Sequence, residues 1–207
     1  YSRQILLASV GGRGQEALLA ARIVIIGDGT VARTAALYLA AAGVGCLDLV
    51  SLASSRESAA TTWAAVNPDS VVVCGRAQAT AAQRRPDLVL DAASAEAAVP
   101  DEPDWRGTRR LAARAENGCA FVVDLDGICG HCARAVWATP AVVAQPKALD
   151  GVAAAAAGSL LAQEALVTLL QPGRPGGRCI RIDVGDATVS TESLALPACP
   201  HRATDAA

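Results

Sequence analysis

Methionine is absent from the 207 residues, lysine occurs once, at Lys147, and aromatic side chains make up only 3%. The aromatic-poor core this implies must be built from aliphatic residues and alanine. Apolar residues still reach 52%, ample for a packed domain, so wholesale disorder is excluded. No excess of either charge is present: the formal net charge is −2. A nucleic-acid binder relying on a basic field is therefore not expected. Nor is there a membrane span. The most apolar stretch, 152–170, is interrupted by Gly158, Ser159, Gln163 and Glu164 and reads as a buried helix. No signal-peptide pattern is visible, and the chain begins at Tyr1, so it reads as part of a longer protein. The seven cysteines are odd in number and read as thiols or metal ligands of a cytoplasmic protein, not as a disulfide framework.

What is present is an alternation of strands and helices. The apolar β-branched run 22–26 suits a strand buried on both faces. Helical spacing of Val31, Ala35, Tyr38, Leu39 and Ala42 follows, with Gly43 as the closing residue and a second strand at 47–52. Further strands are expected at 71–73, 87–91 and 120–123. Helices are expected at 56–66, 108–116 and 151–170, and a hairpin from 179–184 and 187–191. These elements predict an α/β doubly wound, Rossmann-like, mainly parallel sheet with helices on both faces and a carboxy-terminal antiparallel hairpin. Within one domain, 1–207, we distinguish an amino-terminal segment 1–20, a nucleotide-binding-like half 21–126 and a carboxy-terminal half 127–207.

Two motifs carry chemistry. Gly27-x-Gly29-x-x-Ala32 follows a strand and opens a helix, the geometry that brings backbone N–H groups and a helix N-terminus to a phosphate. Asp28 places a carboxylate inside that loop. The second strand ends in Ser51-Leu52-Ala53, without the acid that holds a ribose, and Asp48 points to the opposite face. The loop is thus either a nucleotide cradle or a turn that keeps its shape without a nucleotide. The second motif is Cys129-Gly130-His131-Cys132 with a distant Cys199-Pro200-His201. Cysteines three apart can share a tetrahedral zinc, which Cys199 and either His201 or His131 would complete. A redox pair or an unused remnant are the alternatives. Glu164 is expected to be a hydrogen-bonded structural residue, Cys46, Cys74, Cys119 and Cys179 small core residues, and Arg84-Arg85 and Arg109-Arg110 solvated.

Taken in order, Tyr1-Ser2-Arg3-Gln4-Ile5-Leu6-Leu7, Gly14-Gln15-Glu16-Ala17-Leu18, the glycine loop and Tyr38-Leu39-Ala40-Ala41-Ala42-Gly43-Val44-Gly45 resemble the ThiF/MoeB/HesA family, the ubiquitin-activating-enzyme-like adenylyltransferases. The resemblance continues through Asn67-Pro68, Asp87–Asp91, Cys129-x-x-Cys132, Gly158-Ser159-Leu160 and Pro197-Ala198-Cys199-Pro200. It implies Mg-ATP on the glycine loop, adenylation of the carboxy-terminal carboxylate of a ubiquitin-like or sulfur-carrier protein, dimers in which Arg3 reaches the partner's ATP site, and a structural zinc on the paired cysteine motifs. The departures from the pattern are extensive. The acids after the second strand and the following Asn and Arg are replaced by Ser51-Leu52-Ala53 and Ser58-Ala59-Ala60-Thr61-Thr62-Trp63. The segment bearing a catalytic Lys is missing, and Gln145-Pro146-Lys147, which resembles it locally, lies in the wrong place. D-x-x-D-N has become Asp91-Ala92-Ala93-Ser94-Ala95, without the Mg²⁺-holding second acid.

Three expectations follow. The first is a non-catalytic member that pairs, as homodimer or heterodimer, with an active subunit and supplies Arg3, its own loop (Gly27, Gly29, Ala32, Asp91) being vestigial. The second is a module binding a peptide or carrier protein. The third is a still-active ATP-dependent adenylyltransferase using Asp91, Arg56 and Asp48. In each, zinc sits on Cys129, Cys132, Cys199 and His201, and neither nucleic acid nor membrane is a partner.

Overall fold

The computed structural model describes residues 6–8, 10–50, 66–75, 84–93, 105, 107–128, 132, 147–196 and 199. Its elements are α1 (Gly11–Ala20), β1 (Arg22–Ile26), α2 (Thr30–Ala42), β2 (Cys46–Val50), β3 (Val71–Gly75), β4 (Leu88–Asp91), β5 (Arg110–Glu116), β6 (Cys119–Asp124), a 3₁₀ turn (Lys147–Leu149), α3 (Asp150–Leu170), β7 (Arg178–Asp183) and β8 (Thr188–Ser193). The eight strands form one sheet in the order β3-β2-β1-β4-β5-β6-β7-β8. The pairs from β3 to β5 are parallel. Those from β5 to β8 are antiparallel.

Every residue of β1 is buried: the apolar run 23–26 as a central parallel strand requires, and Arg22 through its pairing with Asp48. Strand alternation splits the core in two. Ile23, Ile25, Leu47, Leu49, Leu88, Leu90, Leu111 and Val122 meet Ala35, Leu39, Ala157 and Leu161 of α2 and α3 on one face. Val24, Ile26, Val50 and Val89 pack with Trp105 on the other. Among the described residues all three α-helices contribute to the first face; the expected helix 56–66 lies outside them except for helical Val66. The long apolar helix is where expected. It is long and apolar enough to cross a membrane by length and composition, yet it buries Ala153, Ala157, Leu161, Ala162, Glu164 and Ala165 in this domain.

One expectation is corrected. Residues 108–116 are not helical: 110–116 form β5, paired antiparallel with β6. The Asn117-Gly118 pair makes the two-residue turn, both residues having positive φ (49° and 71°), the type I′ geometry that suits the strand twist. Ala113, one of the alanines that favour a helix locally, is here a small side chain over which α3 packs, Ala112 is buried on the opposite face, and tertiary burial overrides propensity. The antiparallel part of the sheet is consequently four strands, not a hairpin alone.

Candidate functional site

The glycine loop forms at the carboxyl end of the parallel strands, where open α/β sheets bind ligands. Gly27 has φ 119°, and a Cβ there would stand 2.7 Å from the Ala92 carbonyl oxygen, so only glycine fits between β1 and the end of β4. Its N–H donates to the Val50 carbonyl at 3.0 Å, and the Ala92 N–H donates to Ile26 at 2.9 Å. Gly29 is the extended residue before α2 and contributes no side-chain cap. Ala32 is fully buried against the sheet, where its small size brings the helix close, and it does not face the loop.

Four charged groups surround this loop. Asp28 lies in it, half-buried, and its carbonyl accepts from Arg33 Nε at 2.9 Å. Asp91 closes β4 in register with Ile26. Its Oδ1 accepts from the Ala93 N–H at 3.3 Å, and its Oδ2 faces Arg110 Nη1 at 3.3 Å. Arg110 is 5% exposed and Asp91 16%, so the acid that could have reached a metal is engaged by a buried cation. The expectation that Arg109 and Arg110 are solvated is therefore corrected: their side chains are 13% and 5% exposed and each is paired with an acid. Arg109 grips Asp124 with Nε at 3.3 Å and Nη2 at 2.5 Å. The sequence carried no spacing signal for Arg110 or Arg33, because each is placed by a strand or helix register that only the fold defines.

Asp48 is removed from the loop. It pairs with Arg22 at 2.6 Å, and both are buried. Arg22 opens β1 at the amino end of the parallel strands, opposite the loop. Burial pushes the Asp48 carboxyl up from its ordinary value, and the Arg22 guanidinium opposes that rise. Asp48 is thus a structural ion pair. Asn67 is structural too: its amide donates to Ala40 O at 2.9 Å and Ser70 Oγ at 2.7 Å, tying the end of α2 to the start of β3. Glu164 accepts from Arg174 at 3.2 Å and from Arg178, the hydrogen-bonded role expected of it.

Arg3, Arg56, Cys129, His131 and His201 lie outside the described residues. Cys132 and Cys199 do not, and their sulfurs stand 3.7 Å apart beside the small apolar cluster of Ala112, Val123, Leu125 and Ile128. Two thiolates each about 2.3 Å from a tetrahedral zinc stand about 3.8 Å apart, so this pair fits half of such a site. Among the described residues no group of three or more His, Cys, Asp or Glu side chains could share a metal.

The comparisons with known proteins agree with this architecture. Residues 1–51 match the ThiF family model. The amino-terminal quarter of this chain is thus similar to the ThiF family. The sulfur carrier protein ThiS adenylyltransferase of Escherichia coli K12 is 42% identical over 98 residues, 44% of this chain and 38% of that protein. An adenylyltransferase and sulfurtransferase uba4 of Aspergillus fumigatus is 52% identical over 50 residues, 24% of this chain and 10% of that protein. The chain thus spans well under half of either relative. In three dimensions E. coli MccB, solved with MccA-N7isoASN, superposes with a TM-score of 0.64 at 13% identity, covering 91% of this chain and 68% of that one. PaaA gives 0.56 at 13% identity over 87% of this chain and 75% of that one. At these identities the structural likeness is one of fold.

Proposed function

We propose that this chain is a non-catalytic ThiF-family member that pairs with an active adenylyltransferase subunit and lends it Arg3. The observation that carries the reading is the Asp91–Arg110 pair. A carboxylate held by a buried guanidinium is not open to Mg²⁺, and among the described residues around the loop two acids offset two arginines. Mg-ATP brings several negative charges, and nothing in that balance draws it in or stabilises a transition state. The residues described at the loop do not fit Mg-ATP, and no chemical step is assigned to it. The work of the loop is instead to turn β1 into α2.

The experiment is to mix this protein with an active family member from the same genome and follow carrier adenylation by pyrophosphate release. Arg3→Ala is expected to lower the partner's rate. A rate independent of this protein, or unchanged by Arg3→Ala, overturns the reading.

A second reading, a module that holds a carrier protein or peptide in the cytoplasm, is favoured by the antiparallel half of the sheet. It ends in β8, whose six residues are all exposed, an open edge of the kind to which extended chains add. In either reading Cys129, Cys132, Cys199 and His201 hold a structural zinc that fixes the carboxy-terminal segment. The 3.7 Å spacing of Cys132 and Cys199 supports this assignment.

A further inference from the structure

A helix with one side toward water normally carries charge on that side. α3 does not. Its 21 residues hold two charged side chains, Asp150 and Glu164. Asp150 accepts from the Gly118 N–H at the start of the helix, and Glu164 is buried against Arg174 and Arg178. The outward positions, at helical spacing, are Val152, Ala155, Ser159, Gln163, Leu166 and Leu170, with Val152 55% exposed. α2 lies alongside and turns Leu37 and Tyr38 outward, the ring of Tyr38 52% exposed.

A groove of about 570 Å³ runs between the two helices. Its floor is small, with Ala42 and Ala162 buried there, and its sides include Tyr38, Ala41, Leu166 and Leu170. α1 bounds one end, where Gly14 meets Leu170. Among the described residues none that lines the groove is charged.

This chemistry narrows what the face can hold. Helices that lie on membranes set Lys or Arg along their polar side. Across α2 and α3 the one cation is Arg33, and its Nε donates to the Asp28 carbonyl. A partner surface bearing charge would bury that charge here without an opposite one. The face itself has the complementary shape, because it carries both a ridge, Leu37 and Tyr38, and an alanine-floored groove beside it. A twofold axis can set each copy's ridge in the other's groove, the self-complementary contact of an isologous dimer. The extent is also sufficient. The 21 residues of α3 give a length of about 30 Å, and two helices side by side a width of about 20 Å, which is of the order of the ~800 Å² that each partner gives to a stable interface.

We propose that the α2–α3 face docks a second copy of this chain, in a twofold dimer where Tyr38 of each copy enters the groove of the other. The helices of both copies then lie between the two sheets. This goes beyond the pairing with an active subunit proposed above, since it is the state of the chain alone.

Sedimentation velocity of the purified protein is expected to show a reversible dimer at micromolar concentration. Tyr38→Glu and Gln163→Glu are changes at exposed positions that leave the fold intact. Symmetry places each new carboxylate in the contact twice, so each variant should weaken the dimer at least about tenfold. Val189→Glu, on β8 and 67% exposed, should leave it unchanged. With p-benzoylphenylalanine in place of Tyr38 and a mixture of isotopically heavy and light copies, irradiation should join position 38 of one copy to 159–171 of the other. A monomer at every concentration, crosslinks within single copies alone, or a dimer weakened by Val189→Glu and by neither groove variant overturns the proposal. So does a monomer that pellets with phosphatidylcholine vesicles, which would assign the face to a membrane. The mixing experiment with an active family member reads Arg3 and can fail without altering any of these results.

Discussion

Two glycines on the same helix should respond in opposite directions to the same added methyl group. At Gly158 of α3 a Cβ would stand 2.5 Å from the Val31 carbonyl oxygen, 2.7 Å from Thr34 Cβ and 3.3 Å from the Ala35 nitrogen. Two of these three neighbours are backbone atoms of α2 and cannot rotate away, so the helices must separate. Overpacking of this kind costs about 1–3 kcal/mol, and contact with backbone belongs at the upper end. Alanine returns about 1 kcal/mol of helix propensity, leaving a net loss of about 2 kcal/mol. For a chain of this length that is a fall in Tm of about 4–8 °C. At Gly151, the second residue of the same helix, a Cβ meets nothing within 4 Å. There the propensity gain stands alone and Tm should rise by about 2 °C. Calorimetry on Gly158→Ala and Gly151→Ala checks both. An unchanged or raised Tm for Gly158→Ala would refute the close α2–α3 packing on which this core rests.

Other outcomes follow from the ion pairs, the acids and the cysteines. Asp48→Ala leaves Arg22 buried without its carboxylate and should cost about 3–5 kcal/mol in urea denaturation. Arg84→Ala at the exposed Arg84–Asp87 pair should cost less than about 1 kcal/mol; equal losses would contradict the burial argument. The Asp186 N–H, with the Cys119 thiol, the Gly185 N–H and Arg181, holds the Asp183 carboxyl below its ordinary range against the opposing effect of burial. A lowered folded value means that the unfolded chain binds the proton first. This stabilisation is therefore full above about pH 4 and is lost as pH falls through the folded value. Asp183→Asn should flatten that part of the acid limb, and an unchanged acid limb would remove Asp183 from the account. Metal analysis should find one zinc per chain, with Cys132→Ser losing both the metal and stability; a zinc-free native protein would exclude the site.

The parallel half of the fold was legible because its signals are local. A buried β-branched strand, a glycine loop and a helix closed by Gly43 occupy consecutive residues, and each agrees with the next. β5 was not legible as a strand. Its alanines favour a helix, and only the Asn117-Gly118 turn and the α3 surface decide otherwise. The candidate site divides in the same way. Gly27 and Asp91 could be named because motif spacing marks them. Arg110 reaches Asp91 only through pairing between strands, which no single stretch of sequence encodes. Asp48 could be placed on the wrong face for a ribose by alternation alone, but its partner Arg22 could not be foreseen.

The central claim is that the glycine loop keeps its shape without holding a nucleotide. Calorimetric titration of the purified protein with Mg-ATP tests it most directly. The Asp91–Arg110 pair and the balanced charge around Asp28 predict no binding heat up to millimolar ATP. Binding in the micromolar range would contradict the account and return the chain to the active adenylyltransferases.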